Sequence, residues 1–300
     1  MRKIYFFTSL VLFALLSNAQ NNNFLLYSFK GTVSVIENKI ETKVKVGKIL
    51  NSATILKVAD GAIATLICNE AAMFSIKKAG SYSLSQFNDS CTVSSSSVSA
   101  NYIKYVWNQM TSHGEGSPGS NRKMFMTTVG AVSRSVNNIW IDPRLDTINY
   151  VNGDFPLSWK SYSDGNEFEF TLYKNSGGIT PQYKTVIRKM KIAIPSLASQ
   201  LKPGNTYYWT SAVKGEQNDE LKVLNSISKE SFEKMLTEMK AAGLAYESEA
   251  EQAYRVAFML EDTHYLADAY KYYLKAAALK PDMMLYRSTL MSFKKDYEIK

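Results

Sequence analysis

The chain has 300 residues, of which 45% are hydrophobic, 21% charged and 12% aromatic, enough to fold into two or three domains and unlike a disordered or collagenous composition. Two Cys and two His cannot by themselves supply a four-ligand zinc site, and no apolar run of about 18 residues offers a spanning helix, which excludes zinc fingers, iron–sulfur carriers and multispan transporters. The formal charge of +8 is a mild excess spread along the chain, so nucleic acid is not an expected partner.

The chain opens with Arg2 and Lys3, an apolar run over 4–16, and Ser17-Asn18-Ala19, with small residues where a signal peptidase reads. Residues 1–19 are therefore expected to be a cleaved secretory signal, with Gln20 starting the mature chain. A membrane anchor would need about 20 apolar residues, and no Cys follows Ala19 to carry a lipid. The expected product is exported, either periplasmic or secreted, and not membrane-spanning.

Residues 24–92 read as a small all-β domain. Short β-branched stretches at 32–36, 43–46, 53–58, 62–67, 73–76 and 82–84 are separated by turn residues. Asp60-Gly61, between two of the strongest stretches, has the chemistry of a two-residue type I′ hairpin. The succession Val46-Gly47, Thr54-Ile55-Leu56-Lys57-Val58, Asp60-Gly61 and Ala64-Thr65-Leu66 resembles the FecR-type periplasmic β domain. The resemblance implies the fold of that domain rather than its signalling role, which in characterised regulators also uses a cytoplasmic helical segment and a membrane span. Cys68 ends the best strand and Cys91 follows the last one. In an oxidising compartment they could close a loop of about two dozen residues worth ~3 kcal/mol, and two unpaired thiols are the other arrangement the sequence allows.

Residues 93–138 read as a linker. A serine run at 94–97 leads to a short helix over 102–110, with Ile103, Val106, Trp107 and Met110 on one face, followed by a Gly- and Ser-rich loop over 113–123. The loop contains Gly114-Glu115-Gly116-Ser117-Pro118-Gly119, formally a GxGxxG string. It follows a helix rather than a strand and contains Pro, so a dinucleotide site is not expected.

Over 139–215 the strand rhythm returns with Leu157-Ser158-Trp159, the alternating Phe168, Phe170 and Leu172, and a run over 206–213. The turn Leu201-Lys202-Pro203-Gly204-Asn205-Thr206-Tyr207 resembles the tyrosine corner of fibronectin type III sandwiches. This implies a structural Tyr207 whose hydroxyl bonds nearby backbone, and a structural core Trp159. The densest basic stretch, Lys184, Arg188, Lys189 and Lys191, is expected on the solvent face of a strand pair rather than at an anion site.

Over 216–300 the period changes from two to 3.6. Phe232, Met235, Leu236 and Met239 form one helical stripe and Tyr286, Leu290, Phe293 and Tyr297 another. Between them Ala253, Val256, Ala257, Leu260, Ala269, Tyr273, Ala276 and Pro281 fall at the spacing of a tetratricopeptide repeat, with Ala257 and Ala269 as structural residues at the helix crossing and Pro281 closing the unit. The resemblance covers one legible repeat. It implies a concave surface on the first helix made by Glu251, Tyr254, Phe258, Glu261 and Asp262, an acidic rim with two aromatics suited to a protein or peptide partner. The same spacing also lets Tyr254 and Phe258 dock on a neighbouring element while the acids face solvent.

No GxSxG, HExxH or CxxC string is present, and neither His113 nor His264 sits in a nucleophile pattern, so the expectation is a protein without enzymatic activity and without cofactor or metal. The fold class expected is multidomain β plus α: a small all-β domain, an immunoglobulin- or fibronectin-like sandwich, and a C-terminal helical hairpin. The domain order resembles exported bacterial envelope proteins. The function expected is an adaptor or scaffold binding protein or peptide through the C-terminal helices. The alternative is a ligand-sensing or cell-wall polymer-binding protein using the N-terminal β domain.

Overall fold

The computed structural model describes residues 22–91, 100–111, 122–125, 138–163, 165, 167–244 and 246–299. The expected signal segment 1–19, the serine run and the Gly-rich string at 114–119 lie outside the described residues. The architecture is multidomain β plus α, in two compact units, one before residue 97 and one after it. Among the described residues no helix is long and apolar enough to cross a membrane.

The first unit is all-β. Its strands are β1 (Asn23–Lys30), β2 (Val33–Glu37), β3 (Ile40–Lys43), β4 (Ile49–Asn51), β5 (Ile55–Val58), β6 (Ile63–Cys68), β7 (Ala72–Ile76) and β8 (Gly80–Ser83), followed by a 3-10 segment, Leu84–Cys91. They form two antiparallel four-stranded sheets, β4-β1-β6-β7 and β3-β2-β5-β8. Alternate residues of the sheets, among them Phe24, Leu26, Val35, Leu56 and Leu66, meet in one core.

Asp60-Gly61 does not close a hairpin. It joins β5 of one sheet to β6 of the other, and Gly61 has positive φ (67°) while Asp60 does not. A type I′ turn needs both. The pairs that do take positive φ together are Asn38-Lys39 between β2 and β3, and Asn69-Glu70 between β6 and β7. The chain also changes sheets at Gly31, where φ is 78° and an added Cβ would lie 2.9 Å from the Ala62 Cβ. The stretch expected at 43–46 is mostly loop, because β3 ends at Lys43. Cys68 and Cys91 form a disulfide with Cα atoms 5.2 Å apart, fastening the end of β6 to the end of the 3-10 segment.

The second unit begins with α1 (Ala100–Thr111) and a 3-10 turn, Arg122–Phe125. The strands β9 (Ile139–Trp140), β10 (Thr147–Tyr150), β11 (Pro156–Ser158), β12 (Lys160–Ser161), β13 (Phe168–Tyr173), β14 (Pro181–Ile187), β15 (Lys191–Ala193), β16 (Thr206–Val213) and β17 (Lys222–Ser226) follow. A five-stranded sheet, β10-β17-β16-β13-β14, faces the short pairs β11-β15 and β12-β9. The sheet runs past the expected boundary at 215: β17 alternates buried and half-buried residues and pairs with β16 on one side and, in parallel, with β10 on the other. Trp159 is buried against Phe168 and Phe170, and Trp209 stacks on the other side of Phe170. The Lys202 N–H donates to the Tyr207 hydroxyl at 2.8 Å, pinning the crossover into β16.

Four helices complete the unit: α2 (Lys229–Ala241), α3 (Glu249–Asp262), α4 (Leu266–Leu279) and α5 (Met284–Asp296). Helices α3 and α4 cross where Ala253, Ala257 and Ala269 are fully buried, because methyl side chains let two backbones approach. The turn between them places His264 at positive φ (63°), and Pro281 follows the end of α4. The sheet and the helices are joined directly: the Asn149 N–H donates to the His264 carbonyl and its side-chain amide to the Thr263 carbonyl, both at 2.9 Å.

Candidate functional site

The residues expected to form a partner-binding face are on α3, and four of the five are buried: Glu251, Tyr254, Phe258 and Glu261, with Asp262 half-buried. Each has a physical reason to be covered. Glu251 is the third residue of α3 and closes a capping box with Ser248. The Ser248 N–H donates to its carboxylate at 2.7 Å, and the Glu251 N–H donates to the Ser248 hydroxyl at 3.3 Å. The Ser-x-x-Glu pattern that encodes this box was readable in the sequence.

Tyr254 and Phe258, one turn apart, form the floor on which α1 lies. Tyr105 of α1 stacks on Phe258 with centroids 5.1 Å apart, and Tyr102 meets both Phe258 and Tyr254. The Tyr105, Tyr254 and Thr289 hydroxyls form a buried triad at 2.8–3.2 Å, with Thr289 supplied by α5. Phenols suit such a place because the ring is apolar and the hydroxyl needs a partner once buried. Residues expected to belong to a linker therefore cover the Tyr254–Phe258 face of α3. The buried face of α1 is Tyr102, Ile103, Tyr105 and Val106, rotated from the expected Ile103, Val106, Trp107 and Met110 stripe.

Glu261, at the last turn of α3, is the electrostatic centre. Arg122 is fully buried and its Nε donates to both Glu261 oxygens, at 2.9 and 2.7 Å. The Tyr273 and Tyr297 hydroxyls donate to the same carboxylate at 2.9 and 3.2 Å. Arg122 Nη2 donates to Asp296 at 2.9 Å, and Asp296 in turn faces Arg144, which is held by Asp142. Burial pulls the Arg122 guanidinium downward, and Glu261 together with the Tyr273, Tyr297 and Tyr105 phenols more than reverses this, leaving it well above its ordinary range. Burial and then Glu261 push the phenols of Tyr273 and Tyr297 well up, so both stay protonated donors. Arg122 sits in a stretch read as loop, and no periodic signal singled it out.

A second buried guanidinium anchors α2. Arg255 grips Glu247 with two parallel bonds and donates to the carbonyls of Met239 and Lys240 at the end of α2. His264 is half-buried; burial lowers its pKa, with Asp262 opposing. His113 lies outside the described residues. Lys184 pairs across β13 and β14 with Glu169 at 2.7 Å, and Arg188 lies 3.8 Å from Glu167. Among the described residues no group of three or more His, Cys, Asp or Glu could hold a metal ion.

No protein-family model matches this chain, and no curated protein matches it.

Proposed function

We propose that the chain is a non-catalytic adaptor or scaffold of a bacterial envelope, exported on residues 1–19, that holds a helical protein or peptide partner through its C-terminal helices. Supporting this reading are the FecR-like motif order in the first unit, the Tyr207 corner and Trp159 core that resemble a fibronectin type III sandwich, and the tetratricopeptide-like α3–α4 pair. The observation that carries it is what covers the Tyr254–Phe258 face of α3. An aromatic-faced helix and an arginine, α1 and Arg122, already lie against α3 and α5, and so display the chemistry this face accepts. On this reading a partner presents the same pattern and competes with residues 100–125.

The test is in-cell crosslinking of the full chain, wild type and Arg122→Glu, followed by competition with a synthetic peptide of residues 100–125. Loosening the internal occupant is expected to increase capture of a specific protein, and the peptide is expected to displace it. Capture unaffected by both would mean that α1 is simply core.

A second reading, binding of cell-wall polymer by the first unit, is favoured by a shallow cavity of about 270 Å³ beside Ser34, Glu41, Lys57 and Gly80. It requires the full chain to sediment with insoluble cell wall and Lys57→Glu to prevent this.

A further inference from the structure

A cleft of about 400 Å³ opens where the β9–β12 pair meets the end of α5, within the size range of small-molecule sites. Its charged residues divide into two sets. Asp142, Arg144 and Asp296 are spent on one another and on Arg122, and the Arg144 guanidinium also lies 4.9 Å from the Tyr297 ring centroid. They make a rigid polar floor. Lys160, Lys295 and Glu298 are different: among the described residues neither ammonium faces a carboxylate, and the Glu298 carboxylate faces no cation. Trp140 stands beside them, half-buried, with the Lys160 ammonium 5.3 Å from its ring centroid.

A second cleft, about 360 Å³, shares Glu298 and again sets an aromatic, Tyr270, beside two lysines, Lys189 and Lys191; Asp154 also lines it, and the Lys191 ammonium already donates to the Glu298 carbonyl at 2.7 Å, which leaves Lys189 as its cation without a protein partner among the described residues. Tyr270 is held by stacking on Phe293, with ring planes 4° apart. An aromatic ring packs on the C–H face of a pyranose, an ammonium takes a carboxylate, and a carboxylate between two subsites accepts from hydroxyls. A bare anion would leave the aromatics unused, and a neutral sugar would leave Lys160, Lys295 and Lys189 unmatched.

We propose that the two clefts form one site for a carboxylate-bearing oligosaccharide, with one acidic sugar against Trp140, Lys160 and Lys295, and the next against Tyr270, Lys189 and Lys191. The shared chemistry is an acidic pyranose, which either a hexuronate polymer or a lactyl-substituted amino sugar of cell wall supplies. This site is separate from the helical groove and does not depend on the adaptor reading.

The experiment is calorimetric titration of the full mature chain with galacturonate, trigalacturonate, N-acetylmuramic acid, glucose and N-acetylglucosamine. At least one acidic sugar is expected to bind saturably and about tenfold more tightly than the neutral ones, the scale of one charge-assisted hydrogen bond. Trigalacturonate binding above galacturonate assigns the hexuronate source, and N-acetylmuramic acid binding alone assigns the cell-wall source. Lys295→Glu, an exposed position, is expected to lose about tenfold without changing the melting temperature. Lys189→Glu is expected to weaken a trisaccharide and spare a monosaccharide. Absence of saturation by every acidic sugar at millimolar concentration, equal binding of neutral sugars, or unchanged affinity in Lys295→Glu overturns the proposal.

Discussion

Arg122 and Glu261, 139 residues apart in the chain, meet in a fully buried ion pair with a shortest N–O distance of 2.7 Å. Removing one partner leaves the other charged in a place water does not reach. Arg122→Ala and Glu261→Gln are each expected to cost about 3–5 kcal/mol. The double variant should cost clearly less than the sum, because each change already removes the shared interaction. Urea unfolding of the full chain measures this, and single-variant losses under about 1 kcal/mol would contradict the buried pair.

The Cys68–Cys91 bond closes a loop with a sequence separation of 23. Cysteine alkylation of the full chain purified without reductant is expected to fail until reductant is added. Cys91→Ser should destabilise the first unit by about 3 kcal/mol on the loop-entropy account. Equal labelling with and without reductant would exclude the bond.

Glu251 is expected to behave as a cap rather than as a partner contact. Glu251→Ala removes the acceptor of the Ser248 N–H and should cost about 1 kcal/mol, whereas Glu251→Gln should retain most of the stability. Thermal melts separate the two; an Ala variant as stable as wild type would rule out the capping role.

Asp268, in the first turn of α4, supplies a pH dependence. Burial raises its carboxyl above the ordinary 3.8, with Lys271 opposing, and its Oδ2 has no partner among the described residues. The folded chain thus holds this proton more tightly than the unfolded chain. Its contribution to stability is fully present below 3.8 and is lost as pH rises through the folded value. Asp268→Asn is expected to flatten that loss in denaturation curves from acid to neutral pH. A variant that keeps the wild-type slope would assign the dependence to another group.

Much of the architecture was legible because period and burial agree. The alternating Phe168, Phe170 and Leu172 marked β13 and all three are buried, and the 3.6 period marked α3, α4 and α5. β1 was not, because Phe24, Leu25, Leu26 and Tyr27 are all buried and the strand has no alternation to read. The Asp60-Gly61 turn was recognised but misassigned, since a hairpin and a change of sheet can use the same local chemistry and only long-range pairing separates them. The face of α3 was read as Glu251, Tyr254, Phe258, Glu261 and Asp262, and the first four of these are buried together. What covers it comes from α1 and from a lone arginine far upstream, which no local pattern announces.

The parallel pairing of β10 and β17 has a mechanical consequence. Its four residue pairs, Thr147 with Val223 through Tyr150 with Ser226, lie side by side in the same direction. Tension applied between the chain entering β10 and the helix leaving β17 slides the strands along each other, so their bonds resist together instead of opening one at a time. The edge of the sheet where the helices attach is in this sense a shear clamp, strongest along the direction in which a tether would pull.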